Sequence, residues 1–138
     1  MPRAALIVCW LAAFACGAAH SGERMGVLPA QIVSKEGSFR LTLQSNPAPL
    51  PLNELFEITV SVDASAAADD SSNPVWLRGN AEMPEHKHGM NTRVIVEQLG
   101  DGRFVLKGLL FHMRGEWLIT FDVAKGRVHE QATVRIEL

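Results

Sequence analysis

The chain has 138 residues, 47% of them hydrophobic and 20% charged, with a formal net charge of −2 at pH 7. That length sets one domain as the natural count, and mild acidity with interspersed signs excludes a basic face for nucleic acid. Its two cysteines, Cys9 and Cys16, both fall near the start, so a domain that begins after them has no disulfide and no thiol ligand.

The N-terminus opens with Arg3 and runs apolar from Ala4 to Ala19, broken only by Cys9, Cys16 and Gly17, before turning polar at His20-Ser21-Gly22-Glu23-Arg24. A basic start, a short hydrophobic stretch and small residues at its end describe a secretory signal over 1–19, with cleavage as late as 21 as a variant. A spanning helix needs ~20 apolar residues and different flanks. No membrane span is therefore expected after cleavage, and anchoring through Cys16 or through an uncleaved leader stands as the alternative. The expected location is the periplasm or the exterior. Residues 20–36, with Gly22, Gly26, Pro29 and scattered charges, read as a linker into a domain over 37–138.

From there the hydrophobic period is two. Phe39, Leu41 and Leu43 alternate with Arg40, Thr42 and Gln44, a strand with one buried face. Prolines at 47, 49 and 51 interrupt it, since proline cannot donate to a ladder. Phe56, Ile58, Val60 and Val62 form the inner face of a second strand, and a polar loop centred on Asp69-Asp70-Ser71-Ser72-Asn73 follows. Val75, Leu77, Ala81 and Met83 share one phase of a third, which Pro84 ends; Gly89 permits the next turn.

Thr92 to Gln98 reads as a short strand, and Gly100-Asp101-Gly102 turns it into Arg103 to Lys107. Gly108 to Met113 is expected to stay extended up to a break at Arg114-Gly115. Trp117, Ile119, Phe121 and Val123 alternate in the next strand. Val128, Ala132, Val134 and Ile136 form the inner phase of the last, with His129 facing out. About seven short strands with no amphipathic helix predict an all-β, immunoglobulin-like antiparallel β-sandwich.

Chemistry is concentrated in Met83-Pro84-Glu85-His86-Lys87-His88-Gly89-Met90-Asn91 and in Phe111-His112-Met113. Three of the five methionines and three of the five histidines lie there. Side chains two apart in an extended segment point the same way, about 6.6 to 7 Å apart. His86, His88 and Met90 therefore converge if the chain curves at Gly89. Imidazole suits copper and zinc, whereas thioether sulfur favours Cu(I), so a mixed His and Met set selects copper, with Cu(I) preferred, over magnesium, calcium or manganese. Methionine counts against zinc. The candidate metal ligands are His86, His88, Met90, His112 and Met113. Met83 is a weaker candidate because its phase also makes it a core residue. Consecutive His112 and Met113 face opposite ways in a regular strand, so both reach one ion only if Arg114-Gly115 opens the chain.

Three segments carry a family pattern: Ala81 to Met90, Asp101-Gly102-Arg103-Phe104, and Gly108-Leu109-Leu110-Phe111-His112-Met113-Arg114-Gly115-Glu116-Trp117 followed by Phe121-Asp122-Val123. Together they resemble the YtkA-like domain family, itself similar in pattern to the FixH-like proteins of cytochrome oxidase assembly. The resemblance covers most of 37–125. It implies an exported immunoglobulin-like sandwich linked with copper handling, and it carries the donor roles onto His86, His88, Met90, His112 and Met113. Lys87 and Arg114 depart from the family pattern and set cations beside the donors, with Glu85 and Glu116 available to offset them.

Two functions are expected from these readings. The first is copper binding or delivery, with the copper ion and a periplasmic metallochaperone or oxidase-assembly protein as partners. The second is a metal-free envelope interaction module that assists assembly of a membrane or respiratory complex. An enzyme is not expected: no thiol nucleophile follows the leader and no serine sits in a nucleophile turn.

Overall fold

The computed structural model describes residues 26–67 and 72–138. The expected leader, with both cysteines, lies outside the described residues. Nine strands are found among them: β1 (Gln31–Val33), β2 (Arg40–Asn46), β3 (Leu55–Asp63), β4 (Val75–Met83), β5 (His88–Gly89), β6 (Ile95–Gly100), β7 (Arg103–Leu110), β8 (Glu116–Lys125) and β9 (Val128–Glu137). Among these residues no helix is long and apolar enough to cross a membrane.

The strands form two antiparallel sheets, ordered β1-β2-β3-β7-β6 and β5-β4-β8-β9. β1 and β5 are only three and two residues long. Without them the orders become β2-β3-β7-β6 and β4-β8-β9, the ABED and CFG arrangement of a constant-type immunoglobulin sandwich. The sandwich is thus as expected, with seven principal strands and two short additions at sheet edges.

Alternating hydrophobics produce this fold because each sheet buries one face against the other. Phe39, Leu41 and Leu43, then Phe56, Ile58 and Val60, line one inner face. Leu77, Ala81, Met83, Trp117, Ile119, Phe121 and Val123 line the other. Gly79 takes the remaining inward place on β4, because an added Cβ would stand 2.1 Å from the Leu106 side chain, itself fully buried.

One irregularity sets the geometry downstream. Phe56 pairs with Leu109 but Ile58 pairs with Leu106, so β7 carries an extra residue at Lys107-Gly108. Gly108 has φ +78°, a left-handed conformation natural to glycine, and an added Cβ would meet the Arg93 carbonyl at 2.5 Å. The bulge exchanges the inward phase: Phe104 and Leu106 point inward before it, Leu109 and Phe111 after it. β7 then ends at Leu110, so the segment expected to stay extended to Met113 is broken earlier.

Residues 20–36, expected as a linker, are part of the fold from Gly26 onward. The Gly26 N–H donates to the Glu137 carbonyl at 3.0 Å and Lys35 N–H to the Gln131 carbonyl at 2.8 Å, while β1 pairs with β2. The segment crosses from one sheet to the other and covers the outer edge of β9, which accounts for its order despite a loop-like composition.

Glu130 occupies the inward position between Val128 and Ala132. It is buried, and its Oε2 accepts hydrogen bonds from the Ser34 hydroxyl at 2.6 Å and from the Glu36 and Ser38 N–H groups at 3.2 and 3.3 Å. Ser34 Oγ in turn accepts the Phe39 N–H at 2.9 Å. Donation from the Ser34 hydroxyl, then from Ser38, holds the Glu130 carboxyl below its ordinary value, outweighing burial.

Two outcomes follow. Gly79→Ala should destabilise the domain by about 1–3 kcal/mol in urea denaturation, because the Leu106 side chain has nowhere to move. A lowered folded-state pKa gives stability that is present above the unfolded carboxylate range and lost as pH falls through the folded value. Glu130→Gln should therefore lower the melting temperature at neutral pH, with the gap to the native protein closing on acidification below about 4.5. A gap that stays constant down to strongly acidic pH would refute the assignment.

Candidate metal centre

Both donor segments lie at one end of the sandwich, since β4 leaves it at Met83 beside the start of β8, with Glu82 opposite Leu118. The chain reverses at 84–87. The Met83 carbonyl accepts the His86 and Lys87 N–H groups at 3.2 and 2.9 Å, and Lys87 takes φ 55°. The curve expected at Gly89 is therefore earlier: Pro84 stops the ladder, Lys87 closes the turn, and Gly89 lies within β5, opposite Glu82. His88 is thereby set opposite Met83.

The second segment is held at both ends. Phe111 is fully buried and its carbonyl accepts the Asn53 N–H at 2.8 Å. Gly115 exchanges two backbone hydrogen bonds with Leu138, at 2.9 and 3.2 Å. Between these anchors His112 is half-buried and Met113 is 38% exposed. A regular strand would have buried Met113; the bend over 113–115 turns it outward instead, as the sequence requires if both residues are to serve one site.

The histidines form a row. Ring centres of His86 and His88 are 5.7 Å apart, and those of His88 and His112 are 5.3 Å apart and stacked. His86, at the turn, is exposed. His88 Nδ1 lies 3.1 Å from the Gly89 carbonyl oxygen; in the tautomer that donates there, Nε2 keeps its lone pair. His112 Nδ1 is buried without a hydrogen-bond partner, alone in this among the described side chains.

The methionines divide. Met90 Sδ accepts the Leu110 N–H at 3.4 Å, which seats the sulfur at the end of the strand leading to His112. Met83 is 1% exposed and belongs to the core, and its methyl faces Gly115, where an added Cβ would come within 3.1 Å. Its side chain thus takes the core position that its phase in β4 also offered. Glu116 ion-pairs with Arg135, so its charge is engaged across the sheet rather than offered to the donors.

Trp117 is the residue that sequence reasoning placed only in the core. Its ring is fully buried, packs on Phe111 at 4.7 Å, and meets His112 and His88 edge-on at 5.4 and 6.5 Å. Its Nε1–H donates to the Met113 carbonyl at 3.0 Å. The signal available in the sequence was spacing: a tryptophan four residues after Met113, across a glycine-containing bend, whose polar edge needs a partner when buried.

Among the described residues, no three His, Cys, Asp or Glu side chains converge as a complete metal cage. The arrangement offers two adjacent imidazoles, a third at the turn and two thioethers nearby in sequence. Comparison with family models, curated proteins and solved structures finds no match to this chain.

Trp117→Phe keeps a ring against Phe111 but removes the N–H donor. It should cost about 1–2 kcal/mol of stability, from the lost bond and the unfilled volume, and should broaden or shift the Met113 methyl resonance. An unchanged Met113 signal would show that Trp117 does not hold this bend.

Proposed function

We propose that this chain is an exported domain of YtkA-like type that binds a single copper ion, as Cu(I) in preference to Cu(II), and passes it to a partner. The observation that carries the reading is the buried, unpartnered Nδ1 of His112 beside the His88 ring. An unpaired polar atom out of contact with water is costly, and an ion that would accept its lone pair is one resolution. With a metal–nitrogen bond of about 2 Å, an ion lies about 3 Å from each ring centre, and the 5.3 Å separation of the His88 and His112 rings is within twice that distance. His112 Nδ1 and His88 Nε2 would hold the ion. His86, Met90 and Met113 supply the further borderline and soft donors that favour copper.

Copper here is cargo. Exposed His86 and half-exposed Met113 sit at the outer side of the donor set, suited to exchange with an incoming ligand, while the Phe111, Trp117 and Gly115–Leu138 contacts restrain the inner side. Export is supported by the apolar residues that follow Arg3. Imidazole binds only when neutral, so protons compete with copper for these donors and affinity should fall on acidification.

Calorimetric titration of the purified protein with Cu(I) under a competing chelator tests this directly. One equivalent should bind, and His112→Ala should weaken binding by at least roughly tenfold. Equal uptake by a His86→Ala, His88→Ala, Met90→Ala triple variant would sink the proposal. The metal-free interaction module is favoured by one observation, the lack of a complete three-ligand His or carboxylate cage among the described residues. Capture of an envelope partner that proceeds unchanged without copper and in the triple variant would establish that reading instead.

A further inference from the structure

β4 is an edge strand over most of its length. β8 pairs with it from Val75 to Glu82, whereas β5 covers its other side only at Glu82 and Met83. Backbone groups of alternate residues point to alternate edges of an antiparallel strand. The Ala81 carbonyl faces the β5 side, since a Cβ on Gly89 would meet it at 3.3 Å. The N–H and C=O groups of Gly79, Leu77 and Val75 therefore lie along that same edge, where no strand among the described residues pairs with them.

The other edges are blunted. The β9 edge is crossed by the hydrogen bonds from Gly26 and Lys35, β1 is three residues long, and β6 has a register break between Gln98 and Gly100. Pairing of β4 with β8 runs without a bulge, and no proline or lysine interrupts Val75 to Met83.

A groove of about 540 Å³ runs beside this edge, with Arg78 and Asn80 on β4 and Thr92 and Arg93 on the facing segment. That segment is fixed: Thr92 Oγ1 donates to the Gly108 carbonyl at 2.7 Å, on the bulge of β7. Two guanidinium groups stand there against one carboxylate, Asp122, whose Oδ1 already accepts the Gln131 side-chain amide at 2.8 Å. Arg78 lies over the Trp76 ring, 5.6 Å from its centre, and that ring is 49% exposed.

We propose that the free edge of β4, from Val75 to Gly79, is a docking site for an extended acidic segment of a partner protein, which adds as a further strand. Its main chain pairs with Val75, Leu77 and Gly79, its carboxylates face Arg78 and Arg93, and an apolar side chain lies on Trp76. Main-chain pairing supplies affinity without sequence preference; the arginines select carboxylates through charge-assisted hydrogen bonds. A second copy of the chain fits less well, because two such edges would bring both pairs of arginines to one seam, and like charges across paired strands repel. The site is separate from the donor cluster, and its occupancy does not require a metal.

The test uses the purified full-length chain and a fluorescent peptide alternating glutamate with valine. Fluorescence anisotropy should report binding that weakens with added salt, and nitrogen-15 NMR should show Val75, Leu77 and Gly79 amides shifted and their exchange slowed. The double variant Arg78→Glu, Arg93→Glu should lose roughly tenfold or more in affinity. With the native protein, the same peptide N-methylated at alternate amides should fail to bind, which keeps the test decisive even if the double variant folds poorly. Equal binding of a lysine–valine peptide, undiminished binding after N-methylation, or shifts confined to β6 or β9 would overturn the proposal. So would a concentration-dependent dimer that buries this edge and excludes the peptide.

Discussion

One extra residue in β7 governs the end of the sandwich where the histidine row lies. Without the bulge at Gly108, the phase set by Phe104 and Leu106 would continue, turning Leu110 and His112 inward and leaving Leu109 and Phe111 outside. The bulge reverses that assignment, so a large aromatic fills the core and an imidazole emerges beside His88. The same glycine receives the Thr92 hydroxyl on its carbonyl and packs against the Arg93 carbonyl. A side chain there would disturb strand phase, the segment after Met90 and the donor row together.

Stability and accessibility are distributed unequally across the donors. Phe111 and Trp117 belong to the core, with Phe56 also packed against Phe111 at 4.8 Å, its ring tilted, so the inner side of the row inherits the rigidity of close packing. The turn at 84–87 depends mainly on two hydrogen bonds to one carbonyl, that of Met83. Met83 links the two: its backbone closes the turn, its side chain fills the core beneath Gly115, and its strand partner is His88. Met83 thus joins the turn at 84–87 to the core beneath the bend at 113–115.

Much of this is legible in the sequence. Period-two patterning marks Phe39 to Leu43, Phe56 to Val60 and Trp117 to Val123 because each inner face is almost purely apolar. The two donor segments stand out by composition alone. Register shifts leave no such mark: Lys107-Gly108 looks like ordinary strand, and only the mismatch in parity between Leu106 and Leu109 betrays the bulge. Residues 26–36 are misread because their order comes from hydrogen bonds to β9 and β2, distant in the chain. Glu130 escapes notice for a related reason, since a buried carboxylate is tolerable only with partners ninety-odd residues away that a local pattern does not reveal.

The hydrogen bond between Gly26 and Glu137 ties Gly26 to the end of β9. Glu137 pairs with Glu116, and Leu138 pairs with Gly115, so Gly26 lies at the same end of the sandwich as the histidine row. Fraying of β9 at that end would therefore release the backbone at Gly26 and, through Gly115, the bend whose Met113 carbonyl Trp117 holds, so that one lost strand end would loosen both.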